Sequence, residues 1–160
     1  MIRDRREQDL GPLGDVLAAL ALPAAAASPE ERLAHLAGRE VELAWVFDQA
    51  PVTVVPTAHV VGHVAVQRPP RDPADLDGLN GPDVPDDVLE VVQLFVAPGP
   101  HQHGIARFLL TEVVAHVHRL GATPVLDLRE NVSLTRQLVE RRGFVPLGGP
   151  SGAGERFVHR

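Results

Sequence analysis

The sequence lacks cysteine, tyrosine and lysine altogether, and it contains few aromatic residues. Without cysteine, the protein has no disulfides, no thiolate metal ligands and no cysteine nucleophile. Aromatic residues make up 4% of the chain, so valine, leucine and alanine must fill its core. No apolar run reaches the ~20 residues that a helix needs to cross a bilayer. We therefore expect a cytoplasmic protein without a membrane partner.

The charged residues leave the chain acidic, with a formal net charge of -6. Binding to nucleic acid relies on a basic surface, so we expect no nucleic-acid partner. An acidic surface favours a cationic substrate only weakly, because net charge also serves solubility. The 160 residues, 44% of them hydrophobic, suit one domain over residues 1–160 with a substantial core.

Apolar periodicity and capping signals predict a chain that mixes strands and helices, of the α/β (α+β) class. Ser28, Pro29 and Glu31 form a helix start with a capping box. An apolar stripe with helical spacing runs from Ile105 to Val117. The predicted strands cover 1–6, 40–47, 52–67, 88–96, 125–128, 144–147 and 156–159, and the predicted helices cover 10–22, 29–37, 102–120 and 132–142.

Residues 68–87 are rich in proline, glycine and aspartate, a composition that predicts a long loop. Its run of acidic residues would attract a cationic substrate, whereas a solvated loop with no binding role would have the same composition. The composition alone does not decide between these two interpretations.

The segment from Leu94 to Arg107 joins a strand, a tight turn and the start of a helix. Gly104 has no Cβ and Ala106 is small, so a ligand can approach the backbone closely. The free amides of the first helical turn, with the positive end of the helix dipole behind them, form an anion site suited to a pyrophosphate. Small residues that serve only helix packing would produce the same pattern.

The residues from His101 to Ala106 read H-Q-H-G-I-A and resemble the acetyl-CoA motif of GNAT acetyltransferases, Q/R-x-x-G-x-G/A. The segments 126–131 and 140–144 resemble the family's next strand and helix. The resemblance implies a single-domain GNAT fold with a central mixed, mostly antiparallel sheet of about seven strands and four helices, in which strands four and five splay apart. It also implies acetyl-CoA as co-substrate and direct attack of an amine on the thioester.

The same resemblance implies which residues contact the cofactor. In the family, the pantetheine arm lies in the gap between strands four and five and pairs with the strand backbone. Counting back from the G-F pair at 143–144 places Val132, rather than its neighbour Asn131, at the family's cofactor-facing asparagine. The implied contacts are Leu94, Phe95 and Val96 for the arm, Gln102, His103, Gly104, Ile105, Ala106 and Arg107 for the pyrophosphate, and Asn131 near the arm.

Acetyl transfer requires a neutral amine, so a group near the thioester should accept the proton of an ammonium ion. Glu90 lies six residues before Val96, which is the general-base position in the histone acetyltransferase branch of the family. Asp127, across the gap, is the second candidate. An exposed glutamate at a strand end and an aspartate with a structural hydrogen-bonding role are the alternative interpretations.

The main departure from the family is Val139, at the position where a tyrosine usually protonates the departing thiolate. Ser133, Thr135 or water would have to substitute. The missing tyrosine supports an alternative, a non-catalytic acyl-CoA-binding or regulatory module on the same fold. A Rossmann-type nucleotide binder is disfavoured, because the glycine motif follows the fourth strand rather than the first.

The acceptor is expected to be a small-molecule or peptide amine, and the segments 23–27, 68–87 and 148–154 would select it. A homodimer through the C-terminal strands would fit the family. Eight histidines raise the question of a metal site. The pairs His59 with His63 and His101 with His103 have no evident third ligand nearby in sequence, so no metal is expected. Instead of binding a metal, His63 is expected to point into the cleft as a substrate contact or base.

Overall fold

The computed structural model describes residues 1–20, 28–49, 59–69, 87–147 and 155–160. Strands and helices follow one another in the predicted order, with a short 3-10 turn at Glu7–Asp9 before the first helix. The strands are β1 (Ile2–Asp4), β2 (Leu43–Asp48), β3 (Val60–Gln67), β4 (Val88–Val96), β5 (Thr123–Asp127), β6 (Phe144–Pro146) and β7 (Arg156–His159), and the helices are α1 (Leu10–Ala19), α2 (Pro29–Gly38), α3 (Gln102–Arg119) and α4 (Arg136–Glu140).

One seven-stranded sheet organises the described residues, in the order β1-β2-β3-β4-β5-β7-β6. Every neighbouring pair is antiparallel except β4 and β5, which run parallel. This confirms the predicted mixed, mostly antiparallel sheet with four helices.

Helices cover both faces of the sheet. The predicted stripe of α3, from Ile105 to Val117, is buried with the β3 and β4 side chains Val64, Leu94 and Val96. On the other face, α1 and α2 pack with a second group of buried residues that includes Phe95 of β4. The capping box of α2 forms as predicted, since Ser28 N–H donates to Glu31 Oε2 at 2.7 Å and Glu31 N–H donates to Ser28 Oγ at 3.2 Å.

The largest difference from the sequence prediction concerns α4, which begins at Arg136 instead of Val132. Thr135 accepts a hydrogen bond from the Leu138 N–H and so caps the helix four residues later than predicted. The bounds of β1, β2 and β5 also shift by one to three residues. The predicted strand residues 52–58 and the segments 21–27, 70–86 and 148–154 lie outside the described residues.

Strands β4 and β5 pair only where Val88–Val91 faces Thr123–Leu126. Beyond Val91 the two strands part, which confirms the predicted splay. The register between β3 and β4 also shifts here, and Gln93 takes a φ of 55° in β4. A positive φ is uncommon for a residue with a side chain, and it marks a bulge. The Gln93 N–H donates to the carbonyl of Glu130 at 3.1 Å, in the loop after β5.

The loop between β5 and α4 provides the hydrogen-bond partners that β5 no longer offers to β4. Asn131 Oδ1 accepts from the Leu94 N–H at 3.0 Å, and Ser133 Oγ accepts from the Val96 N–H at 2.9 Å. Asn131 Nδ2 donates to the carbonyls of Val91 at 2.9 Å and Asp127 at 2.7 Å. The residues from Asp127 to Leu134 form hydrogen-bonded turns rather than a helix, so α4 starts only after these contacts with β4.

His63 supports the bulge from the β3 side. Its Nδ1 lies 2.9 Å from the Gln93 carbonyl, and its Nε2 lies 3.2 Å from Arg5 Nη1. An arginine can only donate, so Nε2 accepts and Nδ1 carries the proton that is donated to Gln93. The ring is fully buried and stacks on Phe95, so His63 does not point into a cleft. Burial lowers the pKa of His63 to about 3.

Replacement of Asn131 by leucine should destabilise the fold strongly. The variant deprives the Leu94 N–H and the carbonyls of Val91 and Asp127 of a buried partner. We expect the free energy of unfolding in urea to fall by about 3 kcal/mol. The adjacent Val132→Ala, at a position 40% exposed, serves as the control and should change it by less than about 0.5 kcal/mol. Equal stability of the two variants would show that the hydrogen bonds of Asn131 do not stabilise the fold.

His63 should make stability depend on pH. With a folded pKa of about 3 and an ordinary value of 6.5, the unfolded chain binds the extra proton between these limits. The contribution of neutral His63 to the free energy of unfolding is therefore complete above pH 6.5. It is lost as the pH falls towards 3, by at most ~1.4 kcal/mol per pH unit. His63→Gln can make both hydrogen bonds but cannot titrate, so its urea stability should vary less between pH 7 and 4. Parallel slopes in the two proteins would refute this role.

Candidate active site

The N-terminus of α3 presents free backbone amides. The Gln102 N–H donates to Gly99 O at 3.2 Å, and the first helical bond runs from the Ile105 N–H to His101 O at 2.9 Å. Among the described residues, no backbone carbonyl accepts from the amides of His103 and Gly104. A Cβ on Gly104 would meet no atom within 4 Å, so the approach to these amides is open.

A cavity of about 570 Å³ opens beside these amides, between α3 and α4. Among the described residues, three arginines and no acidic residue contribute to its wall, although the chain as a whole is acidic. Guanidinium groups and free helical amides together favour a ligand that carries phosphates. The lining residues are His103, Gly104, Arg107, Thr135, Gln137, Leu138, Arg141 and Arg142.

Three predicted pyrophosphate contacts, His103, Gly104 and Arg107, lie at this cavity, and the other three do not. Ile105 and Ala106 are buried in the core under α3. The small side chain of Ala106 packs against the sheet, which favours the packing interpretation that the sequence left open. Gln102 lines a separate, smaller cavity of about 150 Å³ at the turn before α3.

The predicted pantetheine contacts differ in the direction of their backbone groups. The amides of Leu94 and Val96 face the gap, where Asn131 and Ser133 bond them. Phe95 pairs with His63 of β3, so its backbone groups face away from the gap. Asn131 lies in the gap as expected, but both of its amide hydrogens and its oxygen bond the protein itself.

Both candidate bases, Glu90 and Asp127, line one cavity of about 340 Å³ where β4 and β5 begin to part. Glu90 is only 6% exposed, so the alternative of an exposed strand-end glutamate is wrong. Its Oε2 accepts a hydrogen bond from Gln67 Nε2 at 2.7 Å. The full set of lining residues is Arg39, Gln67, Glu90, Asp127, Arg129, Glu130 and Arg156.

Asp127 is held by two arginines. Its Oδ2 lies 2.6 Å from Arg129 Nη2 and 3.3 Å from Arg156 Nε, and its Oδ1 accepts from the Arg129 N–H at 2.9 Å. Burial alone would raise the pKa of Asp127, but the hydrogen bonds and charge of Arg129, aided by Arg156, outweigh it and hold that pKa below its usual range. These contacts favour the structural interpretation of Asp127 and leave Glu90 as the better candidate base.

Sequence reasoning missed several residues around these cavities. Arg39 and Glu130 form an ion pair at 2.7 Å across 91 positions of sequence, and no local pattern indicates such a contact. Gln93 was missed as well: its side chain is 7% exposed, and among the described residues its Oε1 is the buried side-chain atom without a hydrogen-bond partner. The two adjacent arginines at 141–142 were the one signal in the sequence for the cavity at the start of α3, because guanidinium groups attract anions.

The position of the family's tyrosine is fully buried in this chain. Val139 is 0% exposed and belongs to the core beneath α4. Of the proposed substitutes, Ser133 bonds the Val96 amide in the gap, and the exposed Thr135 caps α4. Ser133 keeps its own hydroxyl proton for donation, since it acts as acceptor towards Val96.

The described part of the chain holds neither a metal-ligand cluster nor a membrane-spanning helix. Within it, no three or more His, Cys, Asp or Glu side chains come together as a metal site. None of the helices in those same ranges is long and apolar enough to cross a membrane. Most of the residues expected to select the acceptor, at 23–27, 70–86 and 148–154, lie outside the described ranges.

Comparison with solved structures reveals the same fold in several acetyltransferases. A GNAT family N-acetyltransferase from Escherichia coli in complex with CoA is 18% identical, with 100% of this chain and 80% of that chain covered and a TM-score of 0.65. A GNAT family acetyltransferase from Brucella melitensis in complex with acetyl-CoA is 21% identical (99% and 95% covered, TM-score 0.58). NAA60 from Arabidopsis thaliana in complex with acetyl-CoA is 14% identical (99% and 97% covered, TM-score 0.64).

A search of curated protein sequences finds no match to this chain. The family model for the acetyltransferase (GNAT) family, however, matches residues 20–144. That range contains the glycine motif and the β4–β5 split. Apart from Arg156, it also contains all the residues that line the cavities of about 570 Å³ and 340 Å³. The chain therefore belongs to the acetyltransferase (GNAT) family, whose members are N-acetyltransferases that use acetyl-CoA.

Proposed function

We propose that this protein transfers the acetyl group of acetyl-CoA to an amine, small molecule or peptide, by direct attack of the amine on the thioester, with Glu90 as general base. The observation that carries the proposal is a buried carboxylate, held by one neutral amide, at a polar cavity beside the β4–β5 split. A carboxylate in this environment can take a proton from an incoming ammonium group.

The diphosphate of acetyl-CoA would lie in the arginine-lined cavity at the start of α3. The amides of His103 and Gly104 would bond its oxygens, and Arg107, Arg141 and Arg142 would neutralise its charge. This placement directs the pantetheine arm towards the gap beyond Val91. An arm that accepts a hydrogen bond from Leu94 or Val96 would replace Asn131 Oδ1 or Ser133 Oγ there.

Glu90 would take the proton of the incoming ammonium group, and the free amine would attack the thioester carbon to form the C–N bond. The C–S bond would then break in the tetrahedral intermediate as its nitrogen loses a second proton. The CoA thiolate is already a fair leaving group, because a thiol has a pKa of ~8.5. The thiolate would receive the second proton of the nitrogen through Ser133, Thr135 or water, each of which would donate one proton and accept another. A tyrosine at the position of Val139 is therefore not required for turnover.

A second candidate function is a non-catalytic acyl-CoA-binding or regulatory module. Its support is the buried Val139 in place of the acid, together with the internal bonds of Asn131 and Ser133 that fill the gap. Acetyl-CoA binding without CoA release in the presence of any amine would favour this function over the first.

Glu90→Gln should abolish most acetyl transfer while acetyl-CoA still binds. CoA-thiol release would be followed with kanamycin, spermidine and glycinamide as probe amines, and we expect kcat to fall about 10²-fold or more with loss of the acid limb of the pH profile. Calorimetry should give an unchanged acetyl-CoA Kd. The matched control is Glu42→Gln, at a surface ion pair with Arg68. If Glu90→Gln kept the parent's rate and pH profile, Glu90 would not be the base.

Gly104→Trp should block the phosphate site without disturbing the fold. Open space surrounds a Cβ at this position, so the indole would fill the cavity rather than clash with the core. We expect calorimetry to show acetyl-CoA binding at least about 100-fold weaker, a loss of ~2.7 kcal/mol. Gly11→Trp, in α1 and equally unhindered, is the control. An unchanged Kd for Gly104→Trp would remove the diphosphate from this cavity.

A further inference from the structure

The carboxylate of Glu90 sits opposite Gln67 in the sheet. The two residues are direct Cα partners in the β3–β4 register, and both are nearly buried, at 6% and 9% exposure. Gln67 Nε2 donates to Glu90 Oε2 at 2.7 Å. A cross-strand pair is rigid because both backbones are held by the sheet, so this contact sets the rotamer of Glu90.

The orientation of the Gln67 amide is set in turn by Arg39, at the C-terminal end of α2. Arg39 Nε donates to Gln67 Oε1 at 2.6 Å. An arginine has no acceptor, so the oxygen of the amide must face Arg39 and the NH₂ group must face Glu90. The donor Arg39 on one side and the acceptor Glu90 on the other therefore determine the orientation of the Gln67 amide.

Arg39 is itself held in place. Its Nη1 lies 2.7 Å from Glu130 Oε2 and 3.1 Å from His35 Nε2, and its side chain is 17% exposed. The main-chain carbonyl of Glu130 accepts the Gln93 N–H at the bulge. Arg39 thus ties α2 to the loop that fills the β4–β5 gap, and the row Arg39–Gln67–Glu90 is anchored at both ends.

The other carboxylates around this cavity have guanidinium partners. Asp127 pairs with Arg129 and Arg156, and Glu130 pairs with Arg39. Among the described residues, the neutral amide of Gln67 is the hydrogen-bond partner of the Glu90 carboxylate. An amide orients a carboxylate without neutralising its charge, whereas an arginine would hold the charge and weaken it as a proton acceptor.

We propose that Gln67 and Arg39 are positioning residues, which orient Glu90 and reserve its Oε1 for the proton of the acceptor amine. The proposal rests on the proposed role of Glu90 as base. A proton on Oε2 would face the NH₂ group of Gln67, which has no lone pair to accept it, and two donors would then oppose each other. Oε2 therefore remains an acceptor, and the proton from the amine goes to Oε1.

Gln67→Leu tests the row, with the probe amine of fastest turnover among kanamycin, spermidine and glycinamide. We expect plateau kcat to fall about tenfold and the pH profile of kcat/KM to differ from the parent's on its acid side, because the Glu90 carboxylate loses its hydrogen-bond donor. The acetyl-CoA Kd from calorimetry should stay at the parent's value. Arg39→Gln should act in the same direction with a smaller effect, and Arg68→Gln, beside Gln67 at the surface, should act on neither quantity.

Action through Glu90 is tested by a double-mutant cycle. In the Glu90→Gln background, Gln67→Leu should cause no further loss of kcat. An additive loss of kcat in the double variant would overturn the positioning role, even where the parent transfers acetyl groups and Glu90→Gln does not. A parent-like pH profile in both Gln67→Leu and Arg39→Gln would overturn it in the same way. Absence of turnover in the parent, or an unaffected Glu90→Gln, would instead overturn the proposed function, and the positioning role with it.

Discussion

The parting of β4 from β5 is the constraint on which the rest of this structure depends. Two parallel strands that separate leave backbone groups without partners, and buried groups of this kind are costly. The chain answers with one loop, in which Glu130, Asn131 and Ser133 bond Gln93, Leu94 and Val96 of β4. The late start of α4 goes with these bonds, because the loop residues that make them form turns instead of a helix.

The bulge at Gln93 concentrates strain beside the same gap. Its φ of 55° is unfavourable for a side chain, and its Oε1 is buried without a partner among the described residues. His63 stabilises the bulge only as the neutral ring, since the Arg5 guanidinium faces its Nε2. Strained and unsatisfied groups tend to cluster where a protein binds or reacts, which agrees with a site at this split.

The cavity at the start of α3 and the cavity around Glu90 differ in how their charged residues are paired. Three arginines surround the free amides of α3, where phosphates would bind. Around Glu90, arginines and carboxylates pair with each other, and a neutral amide orients the candidate base. The proposed phosphate site and the proposed base therefore have different charge environments within a protein of net charge -6.

The sequence by itself determined the element order, the capping box at Ser28, the buried stripe of α3 and the open glycine turn at Gly104, because each depends on local spacing or on one residue's conformational freedom. It also pointed to Glu90 through the family motif. Only the tertiary structure decided that Ala106 serves packing, that Asp127 is held by Arg129 and Arg156, and that Gln67 and Arg39 support Glu90. These contacts depend on strand register and on residues up to 91 positions apart, which no local pattern encodes.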